Sequence, residues 1–182
     1  MASNANGGHA RAVPLRLVGW AVPAGLLTIP WVADWPWSAG DFIVAGAMFA
    51  IVGGTFELAL RASGNVSYRA GVAIALAAGF LLVWINLAVG MIGSENNPLN
   101  LLFFGVIGAA LTGSIIGRFK PAGMARAMIV AGALQGAIGI CVFILDLGAG
   151  EPPGALGLLG LIEFFALMWL IAAWCFRRAE RA

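Results

Sequence analysis

The chain has 182 residues, 62% of them hydrophobic and 10% charged, and its 26 Gly bring the apolar share to about three quarters. A soluble domain runs at roughly 45–50% on the same count, and ten basic against eight acidic residues supply neither a solvated shell nor a basic face. This excludes a cytosolic enzyme, a disordered chain and a nucleic-acid binder, and points to a polytopic membrane protein lying mostly in lipid.

A crossing needs about 20 mainly apolar residues, and charges and turn residues cut the chain into six. Residues 1–13 read as a flexible cytoplasmic tail that holds the single His, His9. The first span, 14–32, opens on Pro14 and contains Pro23. Its length, its prolines and the lack of a small-x-small cleavage site read as an uncleaved span rather than a signal peptide. The second, 42–60, lies between Asp41 and Arg61 and carries Glu57 one turn before Arg61. That spacing predicts an i,i+4 ion pair in which Arg61 reaches the interface, a structural role. The third, 70–92, contains Asn86 and ends at Gly93-Ser94-Glu95-Asn96-Asn97. The fourth, 98–117, begins at Pro98 with Asn97 as its N-cap and stops before Arg118. The fifth, 124–147, contains Gln135 and Cys141 and ends on Asp146 and Leu147. The sixth, 155–176, follows the breaker Gly150-Glu151-Pro152-Pro153-Gly154 and contains Glu163 and Cys175. Residues 177–182 read as a basic cytoplasmic tail. The expected fold is an all-α membrane protein, one domain of six helices in a compact Gly-rich bundle.

Orientation follows from Lys and Arg. Arg11, Arg16, Arg61, Arg69, Arg118, Lys120, Arg126, Arg177, Arg178 and Arg181 all fall on one side of this arrangement, which makes both termini cytoplasmic. Asp34, Asp41, Glu95, Asp146 and Glu151 fall on the other. One span more or fewer would scatter both sets. Trp31, Trp35 and Trp37 at one boundary, and Tyr68, Phe119 and Trp174 at the other, match interfacial belts.

Small residues allow helices to approach closely in lipid. Gly71, Ala75 and Gly79 share a face of the third span, Gly113 and Gly117 of the fourth, and Gly132 and Gly136 of the fifth. Gly154, Gly157 and Gly160 recur at three-residue spacing in the sixth. These stripes fit packing within the chain or between copies of it. Cys141 and Cys175 fall near opposite membrane faces, too far apart for a disulfide.

Polar groups inside spans are costly and mark function first. Asn86 and Glu163 fall at similar depth, about 9–12 Å from the acidic-side ends of their spans at 1.5 Å per residue. Facing each other, they would hold a cation or polar solute, with Gln135 deeper and Glu95, Asn97 and Asp146 forming the mouth. The structural alternative is an interhelical hydrogen bond to a protonated Glu163, with Asn86 and Gln135 as packing glue. No metal site is expected, since Glu95 is the one carboxylate of its loop and His9 lies in the tail. No cofactor is expected, and no span holds the His or paired carboxylates that intramembrane hydrolysis needs, so an enzyme is disfavoured.

The run Trp84-Ile85-Asn86-Leu87-Ala88-Val89-Gly90-Met91-Ile92-Gly93-Ser94-Glu95-Asn96-Asn97-Pro98, with Phe56-Glu57-Leu58, Arg118-Phe119 and Gly123-Met124-Ala125-Arg126-Ala127, resembles a family of small bacterial six-helix inner-membrane proteins. The likeness covers the second to fifth spans. The family often has Tyr where Phe56 stands here, so a hydroxyl beside Glu57 is absent. The resemblance implies a bacterial inner-membrane location and highlights Glu57, Asn86, Glu95, Asn97 and Arg126. It brings no activity with it, because the family has none assigned.

Two functions follow as expectations. One is a small transporter or channel, open to the acidic side and selective for cations, protons or small neutral solutes. The other is an accessory, assembly or structural subunit of a membrane complex. The expected partners are the lipid bilayer and either copies of the same chain or a larger complex.

Overall fold

The computed structural model describes residues 7–147 and 153–182, with side chains from residue 20 onward. Among the described residues all regular structure is helical: α1 (Gly7–Val32), α2 (Ala39–Ala62), α3 (Val66–Ala88), α4 (Leu101–Ile116), α5 (Pro121–Ile144) and α6 (Gly154–Glu180). A short 3-10 turn, Pro98–Asn100, leads into α4. Five segments are long and apolar enough to cross a membrane, and the described apolar part of α1, Trp20–Val32, is shorter.

Several boundaries differ from those read in the sequence. Residues 7–13, expected as a flexible tail, are helical, and residues 177–180 extend α6. Arg177 and Arg178 stand in the last turn of α6, where cations favour the carbonyl end of a helix. Arg178 also lies 5.6 Å over the Trp174 ring. Pro121 opens α5 three residues early because its missing N–H costs nothing at a first turn. At its other end α5 stops at Ile144, and Asp146 adopts the left-handed conformation with φ 52°. The breaker before α6 lies mostly outside the described residues, Glu151 included.

The chain divides into two compact units, Met1–Glu57 and Leu58–Ala182, with the boundary inside α2. In the first unit α1 and α2 run antiparallel. A Cβ on Gly53 would lie 2.9 Å from the Trp20 ring, and one on Gly46 would lie 3.9 Å from Leu27. Seven residues up one helix match seven down the other. Their connection ends in a reciprocal cap: the Ser38 backbone N–H and hydroxyl donate to Asp41 Oδ2 at 2.7 and 2.8 Å, and the Asp41 N–H donates to Ser38 Oγ at 3.3 Å.

In the second unit α6 packs between α3 and α5, and α4 packs mainly on α5. Glycine contacts explain this order. Gly71 of α3 meets Phe176 and the Ala172 carbonyl, and Gly79 meets the Trp169 ring. On α5, Gly132 meets Leu170 and the Ala166 carbonyl, Gly136 meets Ala166 and Glu163, and Gly139 meets Ile162 and Glu163. On α4, Gly113 meets Ala127 and Gly117 meets Gly123. Three of the four small-residue stripes are therefore seams inside the chain. The fourth shows no such seam among the described residues, since a Cβ on Gly160 would meet nothing within 4 Å and one on Gly157 would meet Pro153.

The antiparallel seams gather Arg69, Arg118, Lys120, Arg126, Arg177, Arg178 and Arg181 at one end of the second unit, with Glu95 and Asp146 at the other. At the arginine end, Arg69 donates to the Ser63 and Leu60 carbonyls at 2.7 and 2.8 Å. Arg118 and Phe119 both take left-handed backbone, φ 51° and 55°, which costs about 1 kcal/mol each. Tyr68 offsets part of that cost: its ring packs on Phe176 at 5.3 Å and its hydroxyl donates to the Phe119 carbonyl at 2.8 Å. Tyr68→Phe is accordingly expected to lower unfolding free energy by about 1 kcal/mol. Denaturant titration in micelles measures this, and an unchanged midpoint would show that the bond contributes nothing.

Candidate functional site

Apolar side chains dominate both the interior and the exterior of the second unit, so its buried polar groups are few. Asn86, Asn100, Ser114 and Gln135 are buried, and Glu163 is half-buried. Ser114 donates to the Ala110 carbonyl of its own helix at 2.7 Å and is satisfied.

Gln135 is different. It is 0% exposed, and neither its Oε1 nor its Nε2 has a hydrogen-bond partner. It shares the inner stripe of α5 with Met128, Ala131 and Val142, all buried. An amide without partners there costs several kcal/mol unless something polar meets it, by roughly 1–3 kcal/mol per group on mutational scales.

Glu163 lies against α5 where that helix has no side chains. A Cβ on Gly139 would stand 2.6 Å from Glu163 Oε1, and one on Gly136 would stand 3.3 Å from Oε2. The two glycines thus form a recess that the carboxylate fills. Its Oε1 is buried and has no hydrogen-bond partner. Gln135 and Gly139 are four residues apart on one face of α5, so the amide and the carboxylate occupy successive turns of the same wall.

Asn86 and Glu163 do not face each other, although both positions fall in the expected half of the unit. Ala172 touches Gly71 of α3, and nine residues on a helix amount to about 180°. Glu163 therefore points away from α3. Asn86 instead donates to the Leu82 carbonyl at 2.7 Å, leaving its Oδ1 buried without a partner. A further orphan is Trp169, whose Nε1 has no partner and whose ring reaches Gly79. Nothing in its sequence setting distinguishes this Trp from packing residues.

The expected mouth takes another form. Glu95 is exposed and accepts from Asn96 Nδ2 at 3.2 Å. Asn97 accepts from the Leu99 N–H at 3.0 Å, the capping role expected of it. Asp146 is exposed in the turn after α5. Between them lies a feature the sequence did not announce. α3 stops at Ala88 rather than 92, because Gly90 turns left-handed with φ 77° and its N–H closes on the Ile85 carbonyl at 3.0 Å. Met91 and Ile92 then fold inward, 5% and 0% exposed. They join Leu82, Phe103, Val142, Leu158, Ile162 and Phe165 in one apolar cluster.

Glu57 and Arg61 stand one turn apart on α2. Among the described residues no group of three His, Cys, Asp or Glu is placed to hold a metal ion. Cys141 and Cys175 are free thiols, the first exposed and the second buried.

No protein-family model, curated protein or solved structure matches this chain. The functional reading accordingly rests on the site itself.

Proposed function

We propose that this chain is a small bacterial inner-membrane protein of six crossings, with its arginine-rich end in the cytoplasm, that admits a cation, proton or small polar solute to a site at Gln135 and Glu163. The observation carrying this reading is Gln135, fully buried with both amide atoms unpartnered, one turn from a carboxylate whose buried oxygen is also unpartnered. Intramembrane groups of this kind are expensive and mark permeation paths. Asn86 Oδ1 and Trp169 Nε1 extend the set of free valences along α3 and α6. No basic residue stands within the described parts of α4, of α5 beyond Arg126, or of α6 before Arg177. The local field therefore favours cations and neutral solutes over anions.

The competing reading, an accessory or structural subunit, rests on glycine faces that await a partner. The seams on α3, α4 and α5 are already filled within the chain, whereas Gly105 and Gly108 of α4 and Gly154 and Gly160 of α6 are among the glycines where an added Cβ would meet no described atom within 4 Å.

Reconstitution in liposomes tests the proposal. Proton, potassium and glycerol fluxes would be followed for the native chain and for Glu163→Gln, which keeps the shape and removes the ionisable group. Flux of at least one probe is expected, with the cation or proton flux lowered about tenfold or more by the substitution. Equal fluxes from a correctly folded variant would overturn the role of Glu163.

A further inference from the structure

The loop between α3 and α4 lies at the end of the unit away from the arginines, and one side chain holds it. Asn100 is 4% exposed. Its Oδ1 accepts from both the Met91 and Ile92 N–H groups, at 3.1 and 2.9 Å, and its Nδ2 donates to the Ser94 carbonyl at 2.8 Å. Without Asn100, two backbone donors carried into an apolar cluster would have no partner.

The residues so held are apolar. Met91 and Ile92 belong to one buried apolar cluster with Leu82, Phe103, Val142, Leu158, Ile162 and Phe165. Val142 lies seven residues beyond Gln135, and Leu158 five residues beyond Glu163, both toward the loop. At 1.5 Å per residue the plug stands about 8–10 Å above the polar site. On either side of it are the left-handed glycines Gly90 and Gly93, φ 77° and 66°. They supply joints where the chain can turn without a Cβ penalty. Beyond Gly93, Ser94, Glu95 and Asn96 are exposed.

We infer that the segment Gly90–Ser94 is a gate over the Gln135–Glu163 site, that Met91 and Ile92 are its apolar plug, and that Asn100 is the latch. This rests on the proposal that the site takes a polar occupant. Three hydrogen bonds converge on one amide, so a single rotamer change releases the plug into a layer of polar loop residues. Entry from the acidic end past this segment then requires the latch to open.

Side-specific thiol labelling tests the gate. The reporter is Gln135→Cys in a chain carrying Cys141→Ala and Cys175→Ala, and the probe is a charged, membrane-impermeant methanethiosulfonate applied to sealed vesicles of either orientation. Little labelling is expected from the acidic end in this parent. Adding Asn100→Ala should accelerate labelling from that end by about tenfold to a thousandfold, as expected for three hydrogen bonds of ordinary net worth. Asn100→Asp keeps an acceptor for Met91 and Ile92 and loses only the Ser94 bond. It should give a smaller acceleration, and it carries the test if Asn100→Ala fails to accumulate in the membrane.

Rapid labelling of the parent from the acidic end would overturn the gate. So would unchanged labelling from that end in both Asn100 variants; if the reporter is still reached from the arginine end, the polar site survives that result. A reporter that no variant exposes to either side, together with a gain in thermal stability from Gln135→Leu, would overturn site and gate together.

Discussion

Gly117→Val and Gly123→Val should each prevent α4 and α5 from closing on one another, lowering stability by roughly 3 kcal/mol or more. A Cβ on Gly117 would lie 2.6 Å from the Gly123 Cα and 2.9 Å from its carbonyl carbon. The obstacle is backbone on both sides, so no rotamer change relieves it. Gly53 makes a useful contrast: its close neighbour is the Trp20 ring, a side chain that can move. Gly105→Ala and Gly108→Ala provide the matched controls, since nothing lies within 4 Å of either position. Denaturant titration in micelles should show both valine variants unfolding far earlier than the native chain and both alanine variants close to it. A valine variant as stable as the controls would show that the two backbones are not in contact.

If the proposed site takes a polar occupant, Gln135→Leu should give no gain in stability and should abolish any stabilisation of the protein by the proton, potassium or glycerol probe that occupies it. The sign of the first effect separates two descriptions of the site. If the amide sat in a dry core, replacing it by an apolar side chain of similar size would remove two unsatisfied groups and raise stability by about 1–3 kcal/mol. If water or a solute meets Oε1 and Nε2, the substitution forfeits those bonds and leaves the occupant with fewer partners. Thermal unfolding with and without the probe reads both effects in one experiment. A markedly more stable variant would mark Gln135 as buried by packing alone.

The helices were legible in the sequence because membrane-length apolar runs and charged or proline punctuation are local signals. Asn97 before Pro98 announced the start of the fourth segment, and its side chain caps the Leu99 N–H as expected. Glycine spacing likewise located close-packed faces on α3, α4 and α5, though not on α6, and it could not name their partners. That Gly132 and Gly136 meet α6 while Gly113 and Gly117 meet α5 depends on the order α3, α6, α5, α4 across the unit. The same gap explains Asn86 and Glu163. Residue counting speaks only to position along each helix, whereas the direction of a side chain depends on which helices flank α6. Placing α6 between α3 and α5 sends Glu163 toward Gly136 and Gly139, away from Asn86.

Three other features were hidden for different reasons. Met91 and Ile92 continue an apolar run, so composition alone carries the third span through them. The helix ends instead at a left-handed Gly90, stabilised by a side chain ten positions along. Asn100 stands between Leu99 and Leu101, and a lone Asn in such a setting reads as part of a span. Its role appears only when the loop folds back upon it. The division of the chain within α2 has no punctuation at all, since Phe56-Glu57-Leu58 lies in the middle of a helical turn.

The central position of α6 bears on how the protein is made. α3, α4 and α5 precede it in the chain, so they are made before the helix that joins them exists. The α4–α5 pair can zip at once, glycine to glycine, because both of its halves are already present. Gly71 of α3 and Gly132, Gly136 and Gly139 of α5 stay uncovered until α6 arrives, a cleft kept open for a late wedge. The Glu163 carboxylate then meets a recess already lined by the bare backbone of Gly136 and Gly139. Arrival of the final segment and completion of the contact between Glu163 and the Gly136–Gly139 recess are a single event, and a chain released before that segment emerges lacks both.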